Sequence, residues 1–136
     1  MICHLFMGFQ MAISDFRLSQ GQGDNSFVVI LADDGKIRIV SRIAREALDD
    51  YFERRELSDR QRIALAESNL TQIGEVIARK YMAGDYATYT DSLGITDANN
   101  KLIVVTYDDL RFGPRLSDAR LYMEEKAGFS GAFRGA

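Results

Sequence analysis

The sequence predicts a single α+β domain over residues 1–136, with a small antiparallel sheet packed on two central helices and a short C-terminal helix. Three observations lead to this prediction. The run FVVILADDGKIRIVS has the β-branched residues and the Asp-Gly pair of a hairpin. Residues 42–82 carry apolar side chains at helical spacing, and KLIVVTY after them is typical of a further strand. A domain of this length buries roughly two-thirds of its unfolded surface, which is enough for a core.

The first elements are a strand near residues 12–18, a loop at SQGQGDNS, and the hairpin. We place Asp34 and Gly35 in a two-residue turn, because glycine tolerates the positive φ that such turns require. In that register Ile30 faces Ile39, and alternate residues of both strands share one apolar face.

The first helix is predicted to run for about fourteen residues after Ser41, which serves as its N-cap. Apolar and charged residues then occupy opposite halves of the helix. The charged half includes pairs such as Arg45 with Asp49, and each pair four residues apart stabilises a helix by about 0.2–0.5 kcal/mol. The charge-rich stretch Glu46–Gln61 is therefore interpreted mainly as the solvated side of two helices.

The second helix is predicted from Asp59 to Met82, with a capping box between Ser58 and Gln61 and with Gly84 just past its end. Its main apolar stripe comprises Ile63, Ala66, Leu70, Ile73, Ile77 and Tyr81. Leu65 and Val76 lie about a quarter turn away from that stripe. An apolar face of this width predicts packing on the sheet and on a second surface.

The last part of the chain is predicted to contain a strand near residues 86–90, a turn at DANN, and the strand KLIVVTY. Asp108 and Asp109 follow, either as an acid–base pair or, as we favour, in a short cap begun by Thr106. The final helix, LSDARLYMEEKAG, is capped by Ser117 or Asp118. Residues 1–11 and 128–136 are expected to be poorly ordered.

Composition excludes several classes of function. The net charge of −3 provides no strong field for nucleic acid or membrane. Cys3 is the only cysteine and His4 the only histidine, so a disulfide within the chain, the usual zinc sites and a histidine base elsewhere are excluded. The glycines form no nucleotide-binding pattern, and no apolar run approaches a membrane span. We therefore predict no cofactor, no metal, no membrane contact and, from the lone thiol, a cytoplasmic location.

Two features of the sequence favour nucleic-acid binding as an alternative. A helix-turn-helix would place Arg60 and Arg62 at the DNA groove, although the second helix is too long for that motif. The chain from Arg111 onward has five basic and three acidic residues, and Arg111 and Arg115 lie near phenylalanines that could stack on bases. The alternative prediction is thus a nucleic-acid-binding accessory protein.

Two constellations suggest chemistry only weakly. The carboxylates of Glu46, Asp50 and Glu53 share a helix face and could hold a hard cation, but arginines between them compete for those oxygens. Cys3 and His4 are adjacent in sequence, so on an extended chain their side chains point apart. Neither constellation predicts an active site, and we expect the protein not to be an enzyme.

Three stretches of the chain, SRIAREALDDYF, AESNLTQIGEVIARKYMAG and LIVVTYDDL, resemble a family of small bacterial proteins known as domain of unknown function fourteen-eighty-eight. The family pattern is a strand pair, a helix like I-S-R-E-A-L-x-D-x-F, a second helix with I…I-A…K-Y, and a strand ending in D-L. The matching positions are Ser41, Arg45, Glu46, Ala47, Leu48, Asp50, Phe52, Ile73, Ile77, Ala78, Lys80, Tyr81, Asp109 and Leu110. The resemblance covers roughly residues 27–110 and implies a compact α+β fold without an established activity.

The second face of the hairpin gives the leading functional prediction. It carries Phe27, Val29 and Leu31 and is too apolar to face only water, so either the N-terminal segment or another subunit should cover it. With Leu65 and Val76 on the long helix, these residues are the predicted partner interface. We therefore predict a small non-enzymatic interaction or regulatory protein that forms a homodimer and could bind a further protein partner.

Overall fold

The computed structural model describes residues 13–19, 26–54, 57–90, 93–94 and 96–119. They form a five-stranded sheet with helices against one face, which confirms the predicted α+β class. The strands are β1 (Ser14–Leu18), β2 (Phe27–Asp34), β3 (Ile37–Ala44), β4 (Ala87–Thr90) and β5 (Thr96–Val105). The helices are α1 (Arg45–Tyr51), α2 (Asp59–Ser68), α3 (Leu70–Met82) and α4 (Tyr107–Arg111). The helix predicted after Ser117 lies almost entirely outside the described residues.

The sheet has the strand order β1-β2-β3-β5-β4, and among the described strands only the central β3–β5 pair is parallel. The sheet is therefore mostly antiparallel, as predicted, and has one parallel pair at its centre. The chain leaves β3, forms three helices, and returns through β4 at the far edge before β5 pairs beside β3. Such a return permits a parallel neighbour, because the crossover is long enough to bring the chain back to the same end of the sheet.

The β2–β3 hairpin forms as predicted, but its register differs by two residues. Asp34 pairs with Ile37 and Ala32 with Ile39, so the turn residues are Gly35 and Lys36. Gly35 has φ +60°, the value that a type II′ turn requires at its first central position. A shift of two residues leaves every side chain on its predicted face, and for that reason the apolar face was identified correctly.

The prediction of a helix N-cap at Ser41 is wrong. β3 continues to Ala44, and α1 has only seven residues. β2 and β3 pair along their whole length, from Phe27 opposite Ala44 to the turn, so ladder hydrogen bonds take the place of a local cap. Ser41 is fully buried in the sheet, and its Oγ has no hydrogen-bond partner among the residues that the structure describes.

The predicted helix from Asp59 to Met82 is interrupted at Asn69, whose backbone leaves the helical region at φ −111° and ψ 21°. The buried Asn69 amide donates to the carbonyls of Leu65 and Ser117, at 2.8 Å each, and accepts from the Ser117 amide at 2.7 Å. Asparagine favours such bonds over a continuous helix. The break rotates α2 relative to the predicted stripe, so that Ile63 is 40% exposed.

Local signals at the ends of the helices were predicted well. The capping box between Ser58 and Gln61 is present, and Gly84 ends α3 with φ +76°. The DANN turn was wrong, since Asp97–Asn100 lie within β5, which begins at Thr96. Gly94, with φ +81°, lies in the turn before β5.

One main core lies between the sheet and the helices. The sheet contributes alternate residues of its three central strands, namely Val28, Ile30, Ala32, Ile39, Ile43, Ile103 and Val105. The helices contribute Ala47, Leu48, Ala66, Ile73, Val76, Ile77 and Leu110. Gly74 of α3 brings β1 close, because a Cβ at this position would lie 3.3 Å from the Phe16 ring.

Candidate interaction surfaces

The five residues predicted as a partner interface fall into two groups. Leu65 and Val76 are buried within the chain, so they are core residues and present no surface to a partner. This corrects the prediction that both residues belong to a partner interface. The burial of Leu65 follows from the break at Asn69. Phe27, Val29 and Leu31 lie half-buried on the sheet face opposite the core.

This opposite side, which we call the outer face, carries apolar residues on all three central strands. Alternation along the paired strands places these residues there: Phe27, Val29, Leu31, Val40, Leu102 and Val104. Val104 is 49% exposed. The described helices pack against the other side of the sheet.

Arg42 lies among these apolar residues, between Val29 on β2 and Val104 on β5. Its guanidinium carbon lies 5.6 Å from the centre of the Phe27 ring and 5.7 Å from that of Tyr89. Aromatic faces attract cations at this distance. The guanidinium is therefore attracted to two aromatic rings within this apolar patch.

Arg62, predicted for nucleic-acid contact, instead joins α1 to α2. Its Nε and Nη2 donate to the two carboxylate oxygens of Asp49 at 2.9 and 2.8 Å, and Nη1 donates to Asp59 at 3.1 Å. The hydrogen bond with Asp49, which outweighs the effect of burial, raises the pKa of Arg62. A side chain held in this way is not presented to a base or a phosphate.

The other three arginines of the nucleic-acid prediction are exposed. Arg60 lies on α2, Arg111 at the end of α4 and Arg115 shortly after it. The guanidinium of Arg111 lies 5.2 Å from the ring centre of Phe112. Nucleic-acid binding by these residues stays a prediction.

The Asp108–Asp109 pair forms the predicted cap. The Thr106 hydroxyl accepts from the Asp109 amide, and the Asp109 carboxylate accepts from the Thr106 amide at 2.8 Å, which together make a capping box for α4. The same carboxylate accepts from Lys80 Nζ at 2.7 Å, and Lys80 also pairs with Asp85 at 3.1 Å. These contacts tie α4 to α3.

The pKa values of this cluster follow from its hydrogen bonds. Burial alone would lower the pKa of Lys80, but its bonds to Asp109 and Asp85 outweigh burial and raise it. Burial alone would raise the pKa of Asp109, but the bonds from Lys80 and Thr106 lower it. Both groups are thus stabilised in their charged forms, whereas a general acid or base has a pKa near the working pH.

A contact that the sequence did not indicate joins α3 to β2. The Tyr81 hydroxyl donates to Asp34 at 2.6 Å, and the Tyr81 ring stacks on Tyr86 with centroids 5.3 Å apart. Burial and the bond to Asp34 raise the pKa of Tyr81 to about 12. The phenol therefore stays protonated at neutral pH and acts as a hydrogen-bond donor.

An apolar groove of about 920 Å³ lies between β1 and α3. Its lining residues are Ile13, Phe16, Leu70, Thr71, Gly74, Glu75, Ala78, Arg79, Met82 and Ala83. Glu75 and Arg79 form an exposed ion pair at 3.2 Å on its rim. Sequence reasoning missed this groove, because β1 and α3 are far apart in the chain and no local pattern shows that they meet.

Metal and membrane features complete the description. Within the described ranges, no three His, Cys, Asp or Glu residues are placed to hold a metal ion, and this includes the candidate trio Glu46, Asp50 and Glu53. The predicted pair Cys3 and His4 lies outside the described residues. No helix in the described part of the chain is long and apolar enough to cross a membrane.

No protein-family model, no curated protein and no solved structure matches this chain. The resemblance to the family of unknown function therefore stays a prediction.

Proposed function

We propose that the protein is a small non-enzymatic interaction or regulatory protein that forms a homodimer through the outer face of its sheet. The observation that supports this proposal is the apolar character of that face, on which Val29, Leu31, Val40, Leu102 and Val104 lie side by side. Contiguous apolar patches of this kind mark sites of protein interaction.

The geometry of the sheet suits a second copy. Neighbouring strands lie about 4.8 Å apart, so three central strands provide a broad, gently twisted surface. Two such surfaces can stack at about 10 Å with their strands aligned, as in a β-sandwich. A two-fold axis would place the same patch on both sides of the contact, which is the usual arrangement of homodimers.

Arg42 fits this proposal despite its charge. Arginine is enriched at the buried centre of interfaces, where it packs on aromatic rings. Its contacts with Phe27 and Tyr89 hold the guanidinium over those rings. Cation–π contacts grow stronger when water is excluded, so dimer formation would reinforce an existing arrangement.

The proposal is tested by the mass of the protein in solution. We expect light scattering with size-exclusion chromatography to give a dimer, and Val104→Lys to give a folded monomer, because a lysine at this exposed position places a charge in the contact. Ile63→Lys is the matched control, since Ile63 is a similarly exposed apolar residue on α2. A wild-type monomer at high micromolar concentration would refute the proposal, as would a Val104→Lys variant that still dimerises.

A further inference from the structure

The groove between β1 and α3 combines two features that serve different parts of a ligand. Its floor is apolar, with Phe16 from β1 and Leu70, Ala78 and Met82 from α3. One wall is β1 itself, which is the edge strand of the sheet. No strand among the described residues pairs with the outer side of β1.

The backbone of β1 presents hydrogen-bonding groups to the groove side. The Ser19 amide donates to the Val29 carbonyl at 2.9 Å, and Arg17 lies opposite Leu31. Hydrogen-bonding direction alternates along an antiparallel strand. Leu18 lies between Arg17 and Ser19, so its N–H and C=O groups point away from β2. The Phe16 carbonyl points the same way, because it is trans to the Arg17 amide that faces β2.

We propose that this groove binds a short extended peptide segment of another protein, which adds to β1 as a sixth strand. The backbone of the peptide would bond to the outward groups of Phe16 and Leu18. Every second side chain would be apolar and would enter the groove over Ala78 and Met82. An edge strand beside a helix supports this mode of recognition, in which main-chain bonds give affinity and side-chain pockets give specificity.

The size of the groove favours a peptide over a second folded copy. Ten residues of the described part of the chain line it, and the strand at its wall has five residues. A stable interface between folded proteins involves about 20–30 residues and about 800 Å² on each side. A short segment needs much less surface, because its backbone bonds add to the apolar contacts.

An irregularity in β1 sets the extent of the binding site. The register shifts between Ser14 and Arg17, where Asp15 has φ +60°. Bulges of this kind prevent long edge-to-edge pairing between sheets. The regular register with β2 begins only at Arg17, so the site suits a peptide of a few paired residues rather than an open-ended array of strands.

Gly74 allows the two walls of the groove to lie close together. The space above its Cα is filled by the Phe16 ring, which would lie 3.3 Å from a Cβ at this position. The ring therefore packs directly on the α3 backbone and forms a fixed part of the floor. A preformed floor lowers the entropic cost of binding, since few side chains need to be ordered.

The experiment uses a phage-displayed library of random heptapeptides selected on the full-length protein. We expect enriched sequences with apolar residues at alternate positions, and binding of the best synthetic peptide is then measured by fluorescence polarisation. Met82→Lys should weaken binding by at least about tenfold, because it places a charge in the groove. Ile63→Lys, at a similarly exposed apolar position on α2, should leave binding unchanged. Ala78→Lys is the second groove variant, should Met82→Lys not fold.

Backbone recognition is tested separately by methylating the peptide amides one at a time. We expect alternate N-methyl groups to weaken binding by at least about tenfold, because only alternate amides of an added strand face β1. A library with no enriched sequence, or affinities unaffected by Met82→Lys or by N-methylation, would overturn the proposal. So would loss of the wild-type dimer in Met82→Lys, since a second copy would then occupy the groove.

Discussion

Replacing Asp49 with alanine should destabilise the protein strongly, because it leaves a buried guanidinium without its main partner. Arg62 makes two parallel hydrogen bonds to Asp49, at 2.8 and 2.9 Å. Its side chain is 8% exposed and that of Asp49 19%. Of its bonds to described residues, the one to Asp59 at 3.1 Å would remain, and the Asp59 side chain is 46% exposed.

The expected cost follows from burial. Removing one partner of a buried ion pair typically costs about 3–5 kcal/mol. Asp49 is not fully buried and Asp59 still compensates part of the charge, so we expect about 2–3 kcal/mol. Asp59→Ala is the matched control and should cost less than about 1 kcal/mol, because exposed pairs contribute little.

The measurement is urea unfolding at neutral pH, followed by circular dichroism, with the slope m compared between variants. The double variant Asp49→Ala/Arg62→Met should be more stable than Asp49→Ala alone, because it removes the uncompensated charge. The reasoning is refuted if Asp49→Ala costs no more than Asp59→Ala, or if the double variant gains nothing.

Three further outcomes are expected. Tyr81→Phe should lower the free energy of unfolding, measured with urea, by about 1.5 kcal/mol. This is the low end for a hydrogen bond to a charged group, because the Asp34 carboxylate can bond to water instead. Because its pKa is lowered, Asp109 stabilises the fold above pH about 4, and the wild type loses this stability as the pH falls below that value. The Asp109→Asn variant should lose less stability over the same pH range. Equal losses in the two proteins would contradict the role of Lys80. Gly84→Ala should lower the free energy of unfolding by about 1 kcal/mol, because φ is +76° at this residue. An unchanged midpoint of urea unfolding would show that the end of α3 relaxes.

Local sequence signals predicted the features whose partners lie within a few residues. The capping boxes at Ser58 and Thr106 were of this kind, because each links residues three positions apart. The hairpin was also recognised, but a turn at Asp34-Gly35 and one at Gly35-Lys36 give the same faces. Sequence pattern alone cannot distinguish these two registers.

Long-range contacts decided the features that the sequence predicted wrongly. Ser41 is a good capping residue, yet pairing with β2 keeps it in a strand. Asn69 is compatible with a helix interior, yet its bonds to Ser117 end α2. Tertiary contacts of this kind override local propensity because they satisfy several backbone groups at once.

One buried contact did leave a signal in the sequence. Arg62 lies three and four residues before Leu65 and Ala66, and helical spacing places all three on one face. Once Leu65 is recognised as core, Arg62 must be buried as well and must have a partner. The partner itself, Asp49, is thirteen residues away and could not be identified from spacing.

Two of the polar side chains that suggest chemistry in the sequence, Arg62 and Asp109, connect secondary structure elements. One contact links each of four pairs of neighbouring elements: Arg17 with Asp33, Arg62 with Asp49, Tyr81 with Asp34, and Lys80 with Asp109. The bond between Lys80 and Asp109 raises the pKa of the lysine and lowers that of the aspartate, whereas a group that transfers protons must be able to change its charge. The apolar outer face and the groove beside β1 are not engaged in such links, and apolar surface gains free energy when a partner removes it from water. These two surfaces are the basis of the proposed dimer and of the proposed peptide site.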